Sequence, residues 1–255
     1  MSPFPEEKLH QILNSIDQTL DQLEGQPAVA AFDADGTLWN TDMGEAFFQY
    51  QIDHCLGDRL PPDPWQHYHK MKEEASPQAA YLWLAQINAG LPLEQVQRWA
   101  QESVEKIQPV PVFEASKSII DHLLSRQVQV YIVTASIEWA VQPAAPLVGL
   151  KPENVIGIRT KVKEGLITSE PEGSITYREG KVQGLKERTG HQQAFFCAGN
   201  TEGDLPLLES SSALRLVMAA SLPDNENFST ERKMLQIAKE RSWFHHDYLE
   251  GTSYL

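Results

Sequence analysis

The apolar run Ala28-Val29-Ala30-Ala31-Phe32 breaks off at two aspartates, Asp33 and Asp35, with Gly36, Thr37 and Leu38 directly behind. Alternation along an extended chain turns residues i and i+2 to the same side. Two carboxylates at the end of a strand then face one way, and in a dry interior they repel unless a cation or a shared proton relieves them. Hard oxygen ligands suit magnesium, so a divalent cation is the simplest relief. Gly36 lets the chain turn away sharply. The arrangement fits a nucleophilic aspartate, a second one that trades protons, and a metal that neutralises a phosphate.

The same punctuation recurs downstream. Val128-Gln129-Val130-Tyr131-Ile132-Val133 has strand character and ends in Thr134-Ala135-Ser136. A hydroxyl and backbone N–H groups at a strand end that opens a helix can hold phosphate oxygens. Gly180-Lys181 begins a helical run that ends at Thr189-Gly190. The strand Ala194–Ala198 leads into Gly199-Asn200-Thr201-Glu202-Gly203-Asp204-Leu205. Strands are expected at 28–32, 128–133, 155–158, 194–198 and 213–217, with helical patterns between them. That alternation predicts an α/β protein with a doubly wound parallel sheet and right-handed crossovers. Ligands of such sheets bind beyond the carboxyl ends of the strands, where Asp33, Thr134 and Gly199 all fall.

Asp33-Ala34-Asp35-Gly36-Thr37-Leu38 resembles the first motif of the haloacid dehalogenase superfamily, and the later stretches are similar to its other three. The resemblance implies that Asp33 forms an aspartyl-phosphate and that Asp35 protonates the leaving group and then activates water. It also implies that Thr134, the Ala135 backbone and Lys181 hold the phosphate; Lys161, Lys163 and Lys186 are alternatives to Lys181 by residue type alone. It gives Mg²⁺ as cofactor, with Asp33, the Asp35 backbone carbonyl, Asn200 and, through water, Asp204 as ligands. Asn200 departs from the pattern, which has an acid there; an amide oxygen can ligate magnesium but brings no charge. Glu202 lies between Asn200 and Asp204 and is the acid nearest at hand to compensate. Asp35 argues against a dehalogenase. The reading is a magnesium-dependent phosphatase of a small phosphomonoester, with a phosphotransferase or a catalytically weakened, regulatory binder as alternatives.

Residues 40–109 are too many for a simple crossover and read as helices over 44–55, 65–74, 78–89 and 93–107. Pro61-Pro62-Asp63-Pro64 and Gly90-Leu91-Pro92 punctuate them. We expect a core formed by 1–39 and 110–255 with a helical cap at 40–109, acting as a lid that excludes water and sets specificity. In phosphoserine phosphatase, a member of the superfamily with a cap of this kind, an acid at the cap base contacts the substrate amine; Glu45 is placed like it. The cap is rich in aromatics, among them Phe47, Phe48, Trp65, Tyr68 and Trp83, with Trp39 and Trp139 beside the two loops. Most such side chains pack a small core of their own. An aromatic surface with a carboxylate nevertheless suits a cationic head such as a quaternary ammonium, which makes phosphocholine phosphatases of the superfamily candidate relatives.

A net charge of −14 disfavours a nucleic-acid or anionic-membrane surface. It allows a phosphate ligand, because magnesium and Lys181 reverse the sign locally. Cys55 and Cys197 do not suggest a disulfide framework, and a reducing, cytoplasmic setting is expected. No stretch is apolar enough for a transmembrane helix. Residues 1–24 read as an amphipathic helix on the core, 163–177 as a hairpin beside the site, and His245-His246-Asp247 as a solvated tail.

Overall fold

Val29–Phe32 forms β1, whose four residues are all buried. Its side chains divide by parity: Ala30 and Phe32 join one apolar cluster, Val29 and Ala31 another. A strand buried on both faces belongs in the middle of a sheet that is covered on both sides. The computed structural model, which describes residues 3–250, puts it there. The other strands are β2 (Gln129–Ile137), β3 (Val155–Lys163), β4 (Leu166–Glu172), β5 (Phe196–Gly199), β6 (Leu214–Ala219) and β7 (Phe244–Asp247). Among the described residues they form one seven-stranded sheet in the order β4-β3-β2-β1-β5-β6-β7. All pairings are parallel except the β3–β4 hairpin. The chain winds outward from β1 first through β2 and β3, then through β5, β6 and β7. The strand order therefore reverses between β1 and β5, the place where open α/β sheets bind ligands.

Helices α1 (Glu6–Gln22) and α6 (Glu114–Ser125) supply Ile12, Ile16, Ile119, Ile120 and Leu123 to the cluster on one face. On the other face α8 (Glu179–Thr189), α9 (Leu205–Ser210) and α10 (Phe228–Glu240) supply Leu185, Leu207, Leu208, Met234 and Leu235. The first two residues of the expected N-terminal helix lie outside the described residues.

Between β1 and α6 run α2 (Met43–His54), α3 (Pro64–Glu74), α4 (Pro77–Gln86) and α5 (Leu93–Lys106). Their starts are written locally. Asp42, Asp63 and Ser76 each accept a backbone N–H of the first turn, and Pro64 and Pro77 follow two of these caps at the first helical position. The four helices share a cluster containing Phe47, Phe48, Tyr68, Leu84 and Val96. It continues into Ile137, Ile158 and Ile167 of the sheet and Trp139 of the short α7 (Glu138–Val141).

The structure differs from the sequence reading in three places. β1 stops at Phe32 as expected, but the chain beyond it curls instead of running on extended, so strand alternation does not set how Asp33 and Asp35 face. Thr134-Ala135-Ser136 does not open a helix: β2 continues through it to Ile137, and the register against β3 slips between Val133 and Ile137. That slip is a bulge, which pushes the segment out of the pleat. His245-His246-Asp247 is not a solvated tail but the end of β7, paired with β6, and Asp247 holds Arg232 through two hydrogen bonds of 2.5 and 3.0 Å.

Candidate active site

The loop after β1 curls back on itself: Leu38 N–H donates to the Ala34 carbonyl and Gly36 N–H to the Trp39 carbonyl. Gly36 makes the curl possible at φ +79°, and a Cβ there would lie 2.0 Å from Asn200 Nδ2. The curl, rather than strand alternation, puts Asp33 and Asp35 on one cleft of ≈ 710 Å³ counting its open mouth. Thr134, Ala135 and Ser136 of the bulge, Lys181, Asn200 and Asp204 line the same cleft.

Asp33 is buried. Its Oδ1 accepts a hydrogen bond of 2.5 Å from Lys181 Nζ, and its Oδ2 one of 3.1 Å from the Thr37 hydroxyl. Lys181 Nζ also donates to Asp204 Oδ1 at 2.5 Å. The lysine is 2% exposed, so this is a buried ammonium between two buried carboxylates. Burial alone acts to lower its pKa, but Asp204 and Asp33 outweigh that and hold it above the ordinary lysine range. Burial and the Asp204 charge push the Asp33 carboxyl up to about 7, against the pull of Lys181. Gly180 explains why Lys181 follows a glycine: a Cβ at 180 would lie 1.8 Å from the Ile175 carbonyl oxygen, so a side chain there would keep the first turn of α8 from seating. Lys161 and Lys163 both pair with Glu170 on the β3–β4 hairpin and take no part.

Asp204 is more than a loop residue. Its Oδ2 accepts from the N–H groups of Asn200 and Thr201, at 3.1 and 3.0 Å, while Oδ1 holds Lys181. One carboxylate thus shapes the loop after β5 and anchors the lysine. Asp35 faces the cleft from the other wall. Its Oδ1 accepts from Trp39 Nε1 (2.8 Å) and the Met43 N–H (2.9 Å), and its Oδ2 from the Ser136 hydroxyl (2.8 Å). Burial and the nearby Asp42 charge push its carboxyl up to about 7 despite those donors. A carboxyl poised near neutrality serves as both proton donor and acceptor. Trp39, read from sequence only as an aromatic near the loop, is fully buried and orients this group.

Asn200 occupies the corner between Gly36, Thr37 and α10. Its Nδ2 donates to Glu231 Oε1 at 3.0 Å. The Thr37 hydroxyl lies 3.1 Å from Asp33 Oδ2 and 3.5 Å from Asn200 Oδ1, so these two oxygens turn into one corner. Among the described residues no three His, Cys, Asp or Glu side chains converge as a metal site. A set built on one carboxylate, one amide oxygen and a backbone carbonyl needs no such convergence and matches the all-oxygen preference of magnesium. Glu202 does not compensate for Asn200; it pairs with Lys233 at 3.1 Å on the surface. The acid behind Asn200 is Glu231, which the sequence reading missed.

The mouth of the cleft carries Asp42, Glu45, Tyr68, Lys72, Tyr81, Tyr177 and Glu226. Burial and the Glu45 charge push Asp42 up to about 7, and burial raises Glu45 as well. Lys72 Nζ sits 4.7 Å from the Tyr68 ring centre, 5.7 Å from that of Tyr81 and 3.4 Å from Glu226 Oε1. Phe48, Trp65 and Trp83 instead pack on one another. No helix of the described residues is long and apolar enough to cross a membrane.

Comparisons with known proteins bear on the fold and the family. A phosphorylcholine phosphatase of Pseudomonas aeruginosa is 27% identical over 174 residues, covering 53% of this chain and 50% of that protein. The chain thus spans half the length of that relative. A protein of unknown function from Bordetella pertussis Tohama I superposes with a TM-score of 0.68 at 20% identity, over 87% of this chain and 99% of that one. A phosphoserine phosphatase solved as an analogue of its phospho-aspartyl intermediate superposes with a TM-score of 0.50 at 18% identity, over 76% of this chain and 88% of its own. At these identities the two structures speak for the fold. The profile of the haloacid dehalogenase-like hydrolases matches residues 30–209, from the second residue of β1 to the penultimate residue of α9, and the chain belongs to that family.

Proposed function

We propose that the chain is a magnesium-dependent phosphatase that hydrolyses a small phosphomonoester through an aspartyl-phosphate at Asp33. The observation that carries this reading is the pair of walls around one cleft. Asp33 is fixed by Thr37 and Lys181 on one side, and Asp35, poised near neutrality, is held by Trp39, Met43 and Ser136 on the other.

An Asp33 oxygen attacks phosphorus in line and the bond to the ester oxygen breaks. Asp35 gives its proton to the departing oxygen. In the second half, Asp35 takes a proton from a water whose oxygen attacks the same phosphorus, which frees Asp33 and releases phosphate. Thr134, the Ala135 backbone and Lys181 hold the phosphoryl oxygens, with Asp204 anchoring Lys181. Asp33, the Asp35 backbone carbonyl and Asn200 Oδ1 would hold magnesium, with Asp204 contributing through water. Bound there, the cation neutralises charge on the transferring group. Residues 40–109 act as the cap, closing the cleft to bulk water.

The cap side favours a cationic leaving group. Asp42, Glu45 and Glu226 stand around Tyr68 and Tyr81, a setting in which an ammonium is stabilised by both charge and ring faces. Lys72 already places its own ammonium there, so the site tolerates a cation by construction. The name of the Pseudomonas relative points the same way, which makes phosphocholine the first substrate to test.

The test is phosphate release from phosphocholine, phosphoserine and an aryl phosphate, with magnesium and with chelator. Chelator-sensitive turnover is expected, and Asp33→Asn should abolish it, with a loss on the order of a thousandfold or more and an unchanged circular dichroism spectrum. Turnover that survives in Asp33→Asn would refute the mechanism. A neutral Asn200 where an acid is usual favours one other reading, a binder of a phosphorylated compound with weakened catalysis. Ligand binding without turnover at saturating magnesium would select it.

A further inference from the structure

Glu231 lies on α10, 31 positions beyond Asn200, and is fully buried. Every contact of its carboxylate is with a donor. Oε2 accepts from the N–H groups of Ala220 and Ser221 at 3.0 and 2.8 Å. Oε1 accepts from the Ser221 hydroxyl at 2.9 Å and from Asn200 Nδ2 at 3.0 Å. A buried group encircled this way serves as an acceptor only. The amide of Asn200 has two ends of nearly equal shape, and one of them faces Glu231. A carboxylate there admits only the NH₂ end, which leaves Oδ1 for the corner shared with Asp33 Oδ2. The close approach of Gly36 to Asn200 Nδ2 confines the amide further.

We propose that Glu231 is a positioning residue that fixes the orientation of Asn200 and so allows a neutral side chain to serve as a magnesium ligand. The inference rests on the magnesium reading above. It also explains how an asparagine is accommodated at this position. An aspartate at 200 would set a second carboxylate about 3.0 Å from Glu231, and two buried carboxylates that close cannot both carry their charge without a large penalty. The pair Asn200–Glu231 keeps one negative charge but moves it one residue back from the cleft. Outer partners of this kind orient ligand atoms, and their loss typically costs about 10–100-fold in metal affinity.

The hydrogen bonds dictate what substitutions do. In Glu231→Gln the side-chain oxygen is held by the two backbone donors of Ala220 and Ser221, which cannot turn. Its NH₂ then faces Asn200, whose amide must rotate to accept, presenting an NH₂ to the cation corner. In Asn200→Asp/Glu231→Gln the glutamine NH₂ donates to one aspartate oxygen and the other faces the corner, so every donor is again matched. Asn200→Asp alone puts two carboxylates against each other.

The experiment is calorimetric titration of each purified protein with MgCl₂, in the absence of substrate, with thermal midpoints of the metal-free proteins as a check on folding. We expect Glu231→Gln to bind Mg²⁺ at least about tenfold more weakly than the unaltered protein. We expect the double variant to bind at least as tightly as the unaltered protein, and more tightly than Asn200→Asp. If Glu231→Gln does not fold, the double variant, which keeps a complete hydrogen-bond set, carries the test alone. Affinity in Glu231→Gln within twofold of the unaltered protein overturns the proposal. So does a double variant that binds no better than either single one. If the unaltered protein does not bind Mg²⁺, the magnesium reading falls and this inference falls with it. If it binds and the coupling is absent, only the role of Glu231 is lost.

Discussion

Lys181→Met in metal-free protein isolates the contribution of the buried charge trio. Lys181 Nζ is 2.5 Å from both Asp33 Oδ1 and Asp204 Oδ1, so the two oxygens lie at most about 5 Å apart. With the ammonium gone, two unit charges at ~5 Å repel by about 3 kcal/mol at an effective dielectric constant of ~20. Independent experience with removal of one member of a buried ion pair gives about 3–5 kcal/mol. We expect a loss of that size at pH 8, measured by guanidinium unfolding with tryptophan fluorescence in chelator. The loss depends on pH with a definite sign. Asp33 already titrates near 7 against an ordinary 3.8, with Lys181 holding it down; without the lysine its carboxyl moves higher. A carboxyl whose folded pKa exceeds its unfolded value binds the proton more tightly in the folded state. Its contribution to stability is present below about pH 4 and is lost as pH rises through the folded value. The deficit of Lys181→Met should therefore shrink by half or more at pH 5.5. Lys181→Met/Asp204→Asn, which removes one of the two facing charges, should recover much of it at pH 8. A loss under ~1 kcal/mol at pH 8, or one equal at pH 5.5 and 8, would refute the view that these charges hold one another in the fold.

Two further substitutions test the remaining walls of the cleft. Asp35→Asn should lower kcat/KM, which reports the phosphorylation half-reaction, by about 10²–10⁴-fold on an alkyl phosphomonoester, the usual worth of a general acid, and lower it less on an aryl phosphate whose leaving group needs no proton; equal losses of kcat/KM on the two would remove Asp35 from leaving-group protonation. Lys72→Met withdraws the ammonium that sits over Tyr68 and Tyr81. Cation–ring contacts are worth about 0.5–1 kcal/mol at exposed sites, so KM for phosphocholine should fall a few-fold while KM for an aryl phosphate stays put. A rise for phosphocholine would mean that Lys72 supports the substrate rather than competing with its head group.

The parts of the site that could be read from the sequence are those written locally. Asp33, Asp35 and Gly36 belong to one loop, whose turn is closed by local hydrogen bonds from Thr37 and Leu38 N–H to the Ala34 carbonyl and from Gly36 N–H to the Trp39 carbonyl. Gly180-Lys181 is legible because the reason for the glycine, a carbonyl five residues back, is equally close. The five expected strands all exist, and their polarity placed the cleft on the correct edge of the sheet. The errors have physical causes. β2 continues through Thr134–Ser136 because β3 pairs with it beyond the bulge, a register that only the partner strand determines. β7 has four residues, two of them histidines, and exists because β6 offers it an edge.

Glu231 marks the limit of local reading. Nothing around it in α10 distinguishes it from a solvated helical glutamate, and its burial follows from how α10 lies on β6. The sequence did carry a signal, but an indirect one. Asn200 in place of an acid is a local departure that asks for a compensating group, and sequence proximity nominated Glu202. Distance along the chain is the wrong guide here. The loop after β5 packs on the side of α10, so the acid that can reach Asn200 comes from that helix, while Glu202 points to Lys233 and solvent. The two positions should therefore be treated as one unit: a carboxylate at 200 is compatible with an amide at 231, an amide at 200 requires a carboxylate at 231, and two carboxylates conflict. Relatives with an acid at the position of Asn200 are accordingly expected to lack one at that of Glu231.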